Sequence, residues 1–251
     1  MNSRIRKVVQ LVVFLGLILA LAAVPAAGVQ AQDNGVRPDG NGKYAELTAR
    51  WWQWIYAQQA VDKDGTNTNP LLDSTGAYAA VGQENGIGPA NKYFFLAGNI
   101  GGDMTRTVTV PRGKILFFPV INYEADNAVP PNPDGSLVNN KVPALRKMAG
   151  DFVDATESKY ARLDGKPLQD LRVKSPTFAY TLPDENSLYA YYAANYDPVY
   201  GGPQYQGTIK PVVSDGYWVA VGSLAPGQHT LEFGGSSSGF TLNLVYHLTV
   251  E

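Results

Sequence analysis

Apolar positions along this chain follow two different periods. Between residues 43 and 60 they repeat at helical spacing. Leu47, Trp51, Trp54 and Ile55 lie at i, i+4, i+7 and i+8, on one helical face, with Trp52 and Tyr56 on a neighbouring face and Arg50, Gln53 and Gln58 directed elsewhere. Three of the four tryptophans sit here, and the spacing predicts the buried seam of a helix rather than a stacking platform for a ligand; Trp52 is the one expected to stay exposed. From about residue 90 onward the pattern shortens to strands. The stretches KYFFLAG, TRTVTVP, KILFFPVIN, TFAYTLP, GYWVAVGSL, HTLEFGG and FTLNLVYHLTVE are short, rich in β-branched and aromatic residues, and bounded by Gly, Pro or Asn. In the last, Phe240, Leu242, Leu244, Tyr246, Leu248 and Val250 alternate with Thr241, Asn243, His247 and Thr249. The stretch ILFFPVI is apolar on both faces and predicts a central, covered strand. A second helix is expected over residues 142 to 159. The sum is a mainly β fold: an antiparallel β-sandwich with one N-terminal and one mid-chain helix packed on it, in a single domain from residue 43 to 251.

Two connections are long. Residues 122 to 141 are rich in Pro, Asn and Asp. Residues 184 to 210 hold six tyrosines, Tyr189, Tyr191, Tyr192, Tyr196, Tyr200 and Tyr205, while Pro198, Gly201, Gly202 and Pro203 interrupt any regular period. This segment is expected to be an ordered loop or an irregular hairpin. Long connections in a compact domain are where function concentrates.

The start of the chain changes where the protein is expected to act. Arg4, Arg6 and Lys7 precede an apolar run over residues 11 to 24, and small residues follow up to Ala31. That order predicts a secretory signal peptide over residues 1–31, its 14-residue apolar run being short for a bilayer span, with an uncleaved N-terminal anchor as the alternative; a flexible polar leader follows over 32–42. Export places the protein in the periplasm or outside the cell. Loss of three basic residues takes the net charge from −2 to −5. An acidic chain lacks the basic face that nucleic acid requires, and it has no attraction to anionic lipid. The chain has no cysteine, which excludes thiol catalysis, thiolate metal sites and disulfides.

Several stretches resemble a group of uncharacterised secreted bacterial proteins: WWQWIY (51–56), NPLLDSTG (69–76), AVGQ (80–83), FFLAGN (94–99), TRTVTVPRGKILFFPVIN (105–122), SPTFAYTLPDEN (175–186) and SDGYWVAVGSLAPGQHTLEFGG (214–235). The resemblance implies a common fold and export, and implies no activity. Relatives carry cysteine where this chain has Ala79 and Val108, which implies that these two positions are neighbours in space. The stretch DKDGTNT before Asn69 reads as an insertion relative to the group.

Candidate chemistry is sparse. If GGSSSG turns a hairpin that pairs Phe233 with Phe240, His229 falls opposite Leu244 and His247 on the other face, so the only two histidines do not converge on a metal. GSSSG (235–239) matches a nucleophile-elbow pattern, but it joins two strands and reads as a hairpin turn. DKDG (62–65) reads as a surface turn. Asn122, Glu124 and Asp126 alternate after the covered strand and offer oxygen ligands on one face, a weak calcium site. A glycoside hydrolase needs two suitably spaced carboxylates, a requirement that 22 acidic residues do not exclude. The sequence therefore favours an exported, non-catalytic binding protein for a carbohydrate or another extracellular polymer or surface component. Its contact residues are expected to be the six tyrosines, since tyrosine offers a flat apolar face with a hydroxyl. The alternatives are a secreted carboxylate-dependent glycoside hydrolase or lyase, and a structural or assembly module.

Overall fold

The strand that is apolar on both faces is the centre of the molecule. In a computed structural model, residues 43–84, 86, 89–132 and 134–251 are described; the expected signal peptide and leader lie outside them. Strand β3 (Ile115–Ala125) sits in a sheet of order β1–β3–β8–β6, with β1 (Tyr93–Phe95), β6 (Leu171–Lys174) and the long β8 (Thr208–Val221), whose first half also pairs with β7 (Phe178–Thr181). A second sheet has the order β2–β10–β9–β4–β5: β2 (Gly102–Val110), β4 (Thr156–Leu163), β5 (Lys166–Pro167), β9 (Gly227–Ser237) and β10 (Phe240–Val250). The two sheets enclose a core of alternating inward residues, among them Phe118 and Phe233 with ring centroids 4.6 Å apart, and Leu244, Tyr246 and Leu248. Two pairings, β1 with β3 and β2 with β10, are parallel, so the expected antiparallel sandwich holds except at these two strands.

The other face of the first sheet is covered as well. Helix α1 (Lys43–Ala57) lies across β6, β7 and β8, and its seam of Leu47, Trp51, Trp54 and Ile55 is buried against Phe95, Phe117 and Trp218. Trp51 donates its indole N–H to the Leu96 carbonyl at 3.0 Å and Trp54 to that of Val81 at 2.7 Å. Trp52 is half-buried and packs on Tyr56 with ring centroids 5.8 Å apart. The tryptophan cluster is a helical seam. Helix α2 (Val142–Asp154) packs on β3 and β8; the expected helix ends five residues early because Thr156 to Leu163 pair with β9 instead. No helix among the described residues is long and apolar enough to cross a membrane.

The hairpin between β9 and β10 is tighter than expected. Phe240 pairs with Ser237, not with Phe233, so His229 lies opposite Leu248 and His247 opposite Thr230. The reason is the two-residue turn Ser238-Gly239, both at positive φ, the geometry that matches strand twist. The histidines still occupy opposite faces, and His229 pairs with Asp164 at 2.8 Å.

Residues 58 to 101 have little regular structure and are held by buried polar side chains. Asn69 donates to the Ile55 carbonyl and accepts from the Leu71 amide. Asp73 accepts from Thr75 and from the Tyr78 amide. Gln83 exchanges hydrogen bonds with both backbone groups of Phe95. Arg106, 2% exposed, donates to the carbonyls of Asp73, Ala97, Gly98 and Leu71 and to the Tyr246 hydroxyl. Three of the stretches that carry the resemblance thus meet around one guanidinium, which makes them determinants of fold. The turn at 75–79 lies on β2: the Thr107 amide donates to the Thr75 carbonyl at 2.8 Å, and Ala79 and Val108 share one core cluster. Ala79→Cys with Val108→Cys is expected to form a disulfide on oxidative refolding and to stabilise the chain by about 2–4 kcal/mol; thiol titration and denaturant unfolding check both parts.

Candidate functional site

Past its bulge between Pro119 and Ile121, strand β3 turns a polar edge toward the α1 layer. Asn122 and Glu124 pair with Gly216 and Ser214 of β8, so the two side chains share a face, as the alternation predicts, and Asp126 follows at the strand end. This is an aromatic interior, and polar groups here need partners. Tyr56 of α1 donates to Glu124 Oε2 at 3.1 Å. Tyr180 of β7 donates to Asp126 Oδ2 and lies 3.1 Å from the Tyr189 hydroxyl, while the Ala128 amide donates to Asp126 Oδ1 at 2.7 Å. Burial, and then the neighbouring Asp126, pushes the Glu124 carboxyl well above the usual carboxylate range; burial raises Asp126 as well. Glu124 Oε1 is buried and accepts from no donor, so Glu124 is the acid of the two that holds a proton. Beside the pair, Asn122 Nδ2, Ser214 Oγ and Trp218 Nε1 are buried without hydrogen-bond partners.

The six tyrosines stand above this pair. Residues 188–195 form a helix, α3 (Leu188–Asn195), and not the expected loop. Ser187 caps it by accepting from the Ala190 amide at 3.1 Å, and no Gly or Pro interrupts it before Pro198. Two short 3-10 turns follow, Pro198–Gly201 and Pro203–Tyr205. Tyr189 and Tyr205 are buried, with ring centroids 4.9 Å apart. Tyr191, Tyr192, Tyr196 and Tyr200 are half-buried and pack edge-on, Tyr192 touching the other three at 5.9 to 6.1 Å. Tyr56 continues the array inward: it stacks on Tyr180 at 3.9 Å and faces Tyr189 at 5.8 Å. Burial raises the phenol of Tyr205 to about 12, and holds those of Tyr56, Tyr180, Tyr189 and Tyr192 well above their ordinary value, so these hydroxyls stay neutral donors.

The candidate site is therefore a tyrosine cap seated on a pair of carboxyls whose affinity for protons is raised by burial. It joins the tyrosine segment with Glu124 and Asp126, which the sequence reading kept apart as separate candidates. Asn122 borders the pair through its own row of the sheet. No three His, Cys, Asp or Glu side chains among the described residues are grouped to hold a metal ion, and three of the pair's four oxygens accept from Tyr56, Tyr180 and Ala128. Sequence reasoning missed Tyr56 and Tyr180. Tyr56 had a signal, its place beside Trp52 on the second helical face; Tyr180 had only the strand alternation of TFAYT. Comparisons with family models, curated proteins and solved structures give no match to this chain.

Proposed function

We propose that the chain is an exported binding protein whose contact surface is the outer side of the tyrosine cap, and whose ligand is a carbohydrate or another extracellular polymer. One observation carries this reading: four half-exposed rings, Tyr191, Tyr192, Tyr196 and Tyr200, are fixed in mutual contact on two buried ones. Rings already held in place lose little conformational freedom on binding. Their faces suit the C–H faces of sugar rings, and their hydroxyls supply hydrogen bonds. A glycoside hydrolase is less well supported. It needs two carboxyls about 5–9.5 Å apart with room for substrate or water, whereas Glu124 and Asp126 lie beneath the cap with three of their four oxygens taken by Tyr56, Tyr180 and Ala128. A panel of soluble polysaccharides and glycans tests the reading. Binding by the wild-type chain without release of reducing ends is the expected outcome; turnover of any bound glycan would favour the enzyme.

A further inference from the structure

Resting on the cap as the contact surface, we propose that the Glu124–Asp126 pair is a proton-dependent clasp that fixes the cap in acid and loosens it as pH rises. The clasp is built from four elements. Tyr56 ties α1 to Glu124, Tyr180 ties β7 to Asp126, and Tyr180 in turn meets Tyr189 of α3. The two acids lie two residues apart at the end of β3, with Glu124 Oε1 buried and without a hydrogen-bond partner. Around them stand Tyr56 from α1, Tyr123 from β3, Tyr180 from β7, Tyr189 and Tyr192 from α3, and Tyr200 and Tyr205 from the 3-10 turns; among the described residues no basic side chain acts on either carboxyl. Losing the Glu124 proton leaves two negative charges two residues apart beneath the cap, with no neutralising cation among the described residues. Opening of the cap lets water reach both.

The sign follows from the directions. Both carboxyls are raised in the closed state, so the closed state holds a proton that the opened state releases. The stabilisation is complete below the ordinary carboxylate range. It declines as pH rises toward the raised value of Glu124. This is the reverse of the usual salt-bridged acid, which is lost on acidification.

Amide exchange of residues 188–205, corrected for the intrinsic pH dependence, tests this without any ligand. Protection of α3 is expected to fall as pH rises above the ordinary carboxylate range, by up to about tenfold per pH unit, the slope for one released proton. Protection of β10 should keep a flatter profile, because the opening is local. In Glu124→Gln the side chain stays neutral with no proton to lose, and the α3 slope should vanish. A pH-independent wild-type profile, or a fall in β10 parallel to that in α3, would overturn the clasp. So would recovery of α3 protection by calcium over chelator at about pH 8, which would assign the pair to a cation. Failure to bind any polysaccharide would sink the proposed function and leave this profile unaffected.

Discussion

Arg106→Met is expected to destabilise the chain by about 3–5 kcal/mol, the range for removing one partner from a buried charged network. The guanidinium is 2% exposed, and its five hydrogen bonds go to four carbonyls and the Tyr246 hydroxyl. Methionine fills similar volume but leaves those carbonyls, drawn from residues 71–73 and 97–98, facing apolar surroundings. Each buried unsatisfied group costs about 1–3 kcal/mol before relaxation. Arg106→Lys should recover little, since one ammonium cannot span the fork. Because the arginine joins β2 to two irregular segments, their amides should lose protection before those of the β9–β10 hairpin. Denaturant unfolding followed by tryptophan fluorescence gives the magnitude; a loss below about 1 kcal/mol would show the network to be dispensable.

Trp51→Ala should cost about 3–5 kcal/mol, the range for deleting a large buried aromatic. Trp51 is 1% exposed, touches Trp52, Trp54 and Trp218 with ring centroids between 4.9 and 6.2 Å, and satisfies the Leu96 carbonyl. Trp52→Ala is the internal comparison. It is half-buried and its indole N–H has no partner, so its loss should cost clearly less. Equal losses at the two positions would contradict the seam.

These residues show what the sequence made legible. The helical period of Leu47, Trp51, Trp54 and Ile55 and the two-faced apolar run of β3 are local patterns, and both elements form where they predict. β4 escaped notice because TESKYARL buries one residue, Ala161, and otherwise faces solvent or the sheet edge. α3 escaped because its tyrosines point both inward and outward, so no apolar stripe marks it; the serine cap was the one local sign. The carboxyl pair was half legible. Alternation placed Glu124 and Asp126 on one face, but Tyr56 lies 68 residues from Glu124 and Tyr180 lies 54 from Asp126. Only the assembled layers show that this face is closed over, and closure is what turns a solvated strand end into a pair of carboxyls that hold protons more tightly.

Affinity and thermal stability measured together on Tyr191→Ala, Tyr196→Ala and Tyr200→Ala address the central claim, that the cap is a contact surface. A bound polysaccharide from the panel serves as the probe. Loss of one stacking ring is expected to weaken binding about tenfold, near 1.4 kcal/mol, for at least two of the three. Their melting temperatures should stay close to wild type, while Tyr189→Ala and Tyr205→Ala, which remove buried rings, should melt well below it. Melting temperatures that drop for all three outer variants, with affinity unchanged in the folded protein, would make the cap a cover for the end of the sandwich and contradict the account.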